Sequence, residues 1–257
     1  MKIIICLNND FHALTALNFL FADLKKHQVK IVLSQGVGKS DGLAEELREL
    51  SKVEQEGFTI IDSLVDKKNK FLTFQQITES FQSEIVSYEN INSEIALEDF
   101  KEFAPDLIIS IRFGQIFRNT IINIPKHGII NLHSGILPNY RGVMPSFWAI
   151  LSGESRIGTT LHYISDATID TGAILGFSYL EVDKNRSLFF NINQLYEGGC
   201  DLIIDHLEKI SAGLEIKILR DKNVREGQYF SYPKSLEVQR FLKIMPLVEK
   251  EDVFNLA

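Results

Sequence analysis

Short apolar runs alternate with longer amphipathic stretches from residue 1 to residue 111, and this alternation narrows the possible folds more than any other feature. Ile3 to Leu7 is an apolar run of buried-strand character. Asn8, Asn9 and Asp10 are helix N-cap types, and Leu14, Leu17, Leu20 and Leu24 give helical spacing to Phe11–Lys26. Val29–Leu33 predicts a second strand, Leu43–Val53 a helix and Phe58–Ile61 a third strand. Ser93–Phe103 predicts a capped helix, and Asp106–Ile111 a further apolar strand. Strands separated by helices imply βαβ units, hence an α/β fold with a mostly parallel sheet. Crossovers in such a sheet are right-handed, and its ligand sits beyond the carboxyl ends of the strands.

From Gly158 the pattern changes. Thr159–Ile164 and Ala173–Val182 predict strands around a polar loop, and Ser187–Ile210 predicts one long helix. Leu214–Leu219 and Gly227–Tyr232 are strand-like pieces read as a β-hairpin, and Ser235–Lys243 predicts a last helix. The chain is therefore divided into a main domain, 1–210, and a small C-terminal hairpin/helix appendage, 211–257. An isolated hairpin is marginally stable in water, so it needs a surface to cover it. Its own core or the same hairpin of a second subunit can supply one, and the second choice predicts a homodimer.

Composition removes some function classes. The formal charge of −7 disfavours a nucleic-acid partner, because phosphate binding wants a basic face. Cys6 sits in an apolar run and Cys200 in a predicted helix. Two distant cysteines without metal-type spacing suggest a reducing, cytoplasmic setting and no metal site. The apolar stretch after Met1 is too short for a signal peptide or membrane span, so no membrane partner is expected. No G-x-G-x-x-G follows the first strand. Gly38-Lys39-Ser40 lacks the upstream glycine of a P-loop and reads as a surface loop.

The chemistry concentrates in Gly128–Leu175. Asn131 and His133 fall on one face of a strand, since side chains alternate with period two. A rigid turn, Leu137-Pro138-Asn139-Tyr140-Arg141-Gly142, follows, and Asp170-Thr171-Gly172 stands in the later loop. An aspartate facing His133 would set the ring tautomer and raise its basicity. The amide of Asn131 would donate to an oxygen that gains negative charge. Orienter, base and oxyanion donor together suggest acyl-type transfer to a nucleophile supplied by the substrate.

The segments N-L-H-S-G-I-L-P-N-Y-R-G, P-S-F-W-A-I, G-T-T and D-T-G resemble the formyltransferase family that uses 10-formyltetrahydrofolate. The resemblance is strong over residues 80 to 180. It implies a Rossmann-like core and a catalytic set at Asn131, His133 and Asp170. The folate would lie against Ile111, Phe113, Gly114, Gln115 and Ile116 and the turn at Ile136 and Leu137. The stretch from His162 to Ile169 looks one residue longer than in relatives, which gives Asp166 a share in shaping the folate pocket and in the role of Asp170.

Three acceptors are open: methionyl-tRNA, glycinamide ribonucleotide and a nucleotide-linked amino sugar. The short tail and acidic charge speak against the first, and Asn8-Asn9-Asp10-Phe11-His12 lacks the glycine-serine loop of the second. The leading expectation is a dTDP-linked 4-amino-4,6-dideoxy sugar for surface polysaccharide. Asn8, Asn9, Asp10 and His12 at the first helix N-terminus would receive its pyrophosphate. Lys70, Tyr140, Arg141 and Tyr229 are further substrate candidates, while Phe147 and Trp148 read as core. A regulator that binds these ligands without turnover is the competing class.

Overall fold

A computed structural model describes residues 1–36, 43–64, 71–221, 227–249 and 251–252. The run after Met1 forms β1 (Lys2–Asn8), followed by α1 (Phe11–Leu24) and β2 (Gln28–Ser34). Then come α2 (Arg48–Leu64), α3 (Phe74–Phe81), β3 (Ile85–Val86), α4 (Glu94–Phe103) and β4 (Leu107–Ile111). α5 (Asn119–Ile122) leads into β5 (Ile129–His133), β6 (Tyr140–Gly142) and α6 (Pro145–Leu151). The chain continues through β7 (Arg156–Ile164), β8 (Ile174–Glu181), α7 (Leu188–Ser211), β9 (Gln228–Phe230) and α8 (Ser235–Phe241).

The main sheet has seven strands in the order β3-β2-β1-β4-β5-β7-β8. β3 through β5 run parallel, and β7 and β8 are added antiparallel. Strand order reverses between β1 and β4, where doubly wound sheets bind ligands. Alternation sends Ile3, Ile5 and Leu7 into one apolar core and Ile4 and Cys6 into the other. α1 and α7 cover the first face. The expected caps are present: Asp10 accepts from the Ala13 amide at 2.8 Å and Ser187 from Phe190 at 3.0 Å.

Two local expectations are corrected. Phe58–Ile61 is not a strand but belongs to α2, and the third strand of the βαβ series is the two-residue β3. A four-residue apolar run fits either period, and here it continues a helix that is already under way. The tail does not form a hairpin. Leu219 and Arg220 hydrogen-bond Ile174 at the start of β8, while β9 pairs in parallel with β6. Each piece finds its backbone partners in other parts of the chain rather than in its sequence neighbour.

α8 closes the same surface. Phe241 is fully buried and stacks on Phe147 with ring centroids 4.4 Å apart. Burying such a side chain contributes about 1.5–3 kcal/mol. Val238, Met245 and Leu247 join the main core cluster with it. α8 is covered by the core, while Leu214, Ile218 and Leu219 of the tail stay exposed, so the expected homodimer keeps an apolar surface to use. Among the described residues no helix is long and apolar enough to cross a membrane, and no cluster of potential metal ligands occurs.

Candidate active site

β5 places Asn131 and His133 on one face, and the antiparallel register of β7 sets His162 opposite Asn131. The His162 ring has Nδ1 2.9 Å from the Tyr163 carbonyl and Nε2 3.0 Å from Nδ2 of Asn131. Nδ1–H therefore donates to the carbonyl, and Nε2 accepts from the Asn131 amide. Burial pushes the His162 ring below its usual proton affinity, against the opposing pull of Asp170, which fits this neutral tautomer. The second N–H of the Asn131 amide remains for an oxygen in the adjoining cavity.

Asp170 enters from the loop between β7 and β8. Its backbone is left-handed, at φ 56°, a region aspartate visits more readily than most residues. The Gly142 amide donates to its Oδ2 at 2.8 Å. Its Oδ1 lies 3.6 Å from Nδ1 of His133 and 3.7 Å from Nε2 of His162. Such catalytic contacts commonly tighten once substrate is bound. Nε2 of His133 sits 2.7 Å from the Tyr140 carbonyl, so a proton arriving at Nδ1 meets the carboxylate while Nε2–H stays held.

The loop is fixed by its neighbours. Arg141 donates from Nε and Nη2 to the Ile169 carbonyl at 3.1 and 3.0 Å. Gly172 approaches the Tyr163 carbonyl so closely that a Cβ would sit 1.6 Å from its oxygen. Asp166 accepts from the Thr168 amide at 2.8 Å and caps its own turn, while Asp170 is the acid beside the two histidines. Burial pushes both cysteine thiols up, so neither supplies a thiolate nucleophile.

This set lines a cavity of about 630 Å³ beyond the carboxyl ends of β1, β4 and β5. Of the residues expected around the folate, Phe113, Gly114, Gln115, Ile116 and Asp166 line it. Ile111 does not, being fully buried strand core. Ile136 and Leu137 face away from it: Leu137 is buried, its amide bonded to Thr160 Oγ1 at 3.0 Å, and Ile136 lines a smaller cavity behind. Asn8 and Asp10 line the main cavity, but Asn9 and His12 do not. His12 is a core residue, its Nδ1 3.0 Å from Asn193 Oδ1. Its direct contact with substrate is corrected on that account. Tyr140 and Arg141 brace the turn, Tyr229 lines the cavity half-exposed, and Lys70 lies outside the described residues.

Sequence reasoning missed Arg112, Glu54 and His162. His162 had a legible signal, a histidine inside an apolar strand run, but only the β5–β7 register gives it Asn131 as a partner. Arg112 has its Nε 2.8 and 3.1 Å from the two oxygens of Asp10 and its Nη2 3.4 Å from Glu54. Burial works against the Arg112 charge, but Asp10 and Glu54 outweigh it and hold the guanidinium well above its usual range. Burial likewise opposes the Asp10 charge, and Arg112 and His12 overcome it, leaving that carboxyl below its usual range.

An amide donor, two imidazoles and a carboxylate at the carboxyl end of β5 and its neighbour β7, on the wall of the main cavity, make an arrangement of the α/β group-transfer class. The chain belongs to the formyl transferase family, whose sequence profile matches residues 1–196. It is 35% identical over 161 residues to the methionyl-tRNA formyltransferase of Clostridium tetani, covering 63% of this chain and 50% of that relative. The chain thus spans about half the length of the curated relatives it matches. Among solved structures it is similar to an N-formyltransferase from Helicobacter canadensis, in complex with folinic acid and dTDP-3-aminofucose. That similarity has a TM-score of 0.59 at 17% identity, over 98% of this chain and 82% of the other. It is also similar to the formyltransferase PseJ from Anoxybacillus kamchatkensis, in complex with UDP-4,6-dideoxy-4-formamido-L-AltNAc and tetrahydrofolate. There the TM-score is 0.51 at 21% identity, over 100% of this chain and 97% of the other. These two likenesses bear on the fold alone.

Proposed function

We propose that this chain transfers the formyl group of 10-formyltetrahydrofolate to the amine of a nucleotide-linked amino sugar. The convergence of Asn131, His133 and Asp170 at one wall of the cavity carries the reading. Phe113 and Ile116 offer apolar surface for a flat donor, and the loop from Ser165 to Gly172 faces them across the opening. In the reaction the acceptor nitrogen attacks the formyl carbon, and the carbonyl becomes an oxyanion. The free N–H of Asn131 donates to that charge, and His133, once it carries a proton at Nδ1, adds a nearby positive charge. The attacking amine's proton passes to His133 or to Asp170, and N10 of the folate leaves with a proton as its bond to carbon breaks.

A dTDP-linked 4-amino-4,6-dideoxyglucose, a precursor of surface polysaccharide, is the leading acceptor. Two observations favour the sugar. The chain shares its fold with a solved formyltransferase whose complex holds a nucleotide sugar. Its charge of −7 also suits tRNA poorly. The identity of 35% to the tRNA enzymes supports the second reading, methionyl-tRNA as acceptor.

The deciding experiment incubates the chain with 10-formyltetrahydrofolate and, separately, dTDP- and UDP-linked amino sugars and methionyl-tRNA, read by mass spectrometry. A sugar formamide is expected. Formylmethionyl-tRNA in its place would establish the second reading, and ligand binding with no product would make the chain a regulator.

A further inference from the structure

The residues that line the donor side of the cavity stand on a loop whose shape is set from below. Arg112, directly after β4, is left-handed at φ 55°, a conformation that costs a non-glycine residue. Its guanidinium reaches back across the switch point to grip both oxygens of Asp10 through Nε. Asp10 also accepts from Asn8 Nδ2 at 2.6 Å, and Asn8 Oδ1 accepts from Ser34 Oγ at 3.2 Å. Ser34 Oγ in turn accepts from the Gly114 amide at 2.9 Å. The chain of bonds thus ties the ends of β1, β2 and β4 and returns to the loop it started from. On its far side the loop is held by Gln115, which accepts from the Ile91 amide at 2.6 Å and donates to the Tyr88 carbonyl at 2.8 Å.

We propose that Arg112 is a positioning residue. Its grip on Asp10 holds the left-handed turn and, with the Asn8–Ser34–Gly114 bonds, pre-shapes the loop 113–116 as the donor wall. The inference rests on the folate reading above. Asn8 and Asp10 then act by holding Arg112 and Gly114, and their side-chain oxygens are spent inside this network. Asp10 and Ser34 are almost fully buried, so a bond lost at either one leaves a polar group that water replaces poorly. Pre-shaping lowers the ordering cost that a flexible loop would bear on binding. The consequence falls on donor affinity, because the network touches neither Asn131, His133 nor Asp170.

The test measures binding of 5-formyltetrahydrofolate by calorimetry, with no acceptor present, for wild type, Arg112→Ala, Asp10→Asn and Ser34→Ala. Asparagine keeps the helix cap but loses the charge that holds Arg112. Donor affinity is expected to fall on the order of 10- to 100-fold in the first two variants and less in Ser34→Ala. In turnover the KM for donor should rise, while kcat at saturating donor and the KM for acceptor stay within about threefold. Arg112→Gly separates the two parts of the idea: it relieves the backbone cost yet removes the grip, and it should bind donor as poorly as Arg112→Ala. Unchanged donor affinity in folded variants overturns the proposal, as does an equal rise in both KM values. Should Arg112→Ala not fold, Ser34→Ala decides by the same readings. A wild-type chain that fails to bind the folate overturns the functional reading itself.

Discussion

At Nδ1 of His133 the site can hold one proton against Asp170 without disturbing the bond from Nε2 to the Tyr140 carbonyl. His133→Asn is therefore expected to lower kcat by about 10²–10⁴-fold while the chain still folds. Circular dichroism and single-turnover rates check it; a rate within about threefold of wild type removes His133 from the chemistry. The two loop aspartates should separate cleanly. Asp170 faces both histidines, whereas Asp166 caps a turn at the surface, so Asp170→Asn should depress turnover far more than Asp166→Asn. The reverse order, measured side by side in the same assay, would mean that the loop is held differently in the working enzyme.

Among the elements, α7 carries a titration that the fold must accommodate. Burial holds the His206 ring down at about 4, against the pull of Asp205, and its Nε2 has no hydrogen-bond partner. The unfolded chain takes up this proton near pH 6.5, the folded chain only near 4, so between those values the unfolded state binds more protons. Stability contributed here is intact above about pH 6.5 and is lost as pH falls toward 4. His206→Leu should flatten that part of the urea-denaturation profile. An unchanged slope between pH 6.5 and 4 would show that other groups dominate it. α8 yields a second measurement at this scale. Phe241→Ala should cost about 3–5 kcal/mol, because the ring is fully buried against Phe147. A loss under about 1 kcal/mol would mean that α8 is only loosely attached.

For the whole molecule, the tail acts as a clasp on its own core. β9 adds to β6, the Trp148 indole donates to the Ser231 carbonyl at 3.1 Å, and Trp148 stacks on Phe230 with centroids 4.9 Å apart. Because β6 includes Tyr140 and Gly142, whose backbone groups hold His133 and Asp170, the clasp also supports the catalytic turn. Cutting the chain after Gly213 should therefore lower the melting temperature and the turnover together. If exposed Leu214, Ile218 and Leu219 meet a second subunit, light scattering of the intact chain reports about twice 29.3 kDa and the cut chain loses the dimer. A mass of 29.3 kDa for the intact chain overturns the dimer.

The α/β class, most strands and helices, and the candidate trio Asn131, His133 and Asp170 were legible in the sequence by itself. Those features are written locally: period-two apolar runs, cap residues, and Asn131 and His133 two apart on one strand. The sequence pattern misassigned Phe58–Ile61 because a short apolar run carries no period of its own. It also gave His12 a place at the ligand, since a cap-rich turn does not reveal that the next side chain points into the core. Which long-range neighbours each group meets came with the packed fold. His162 became a partner of Asn131 through the β5–β7 register, Arg112 found Asp10 across 102 residues of chain, and the tail found β6. Pairings over such separations depend on how layers pack and which strand edges are left open, and no window of sequence holds that information.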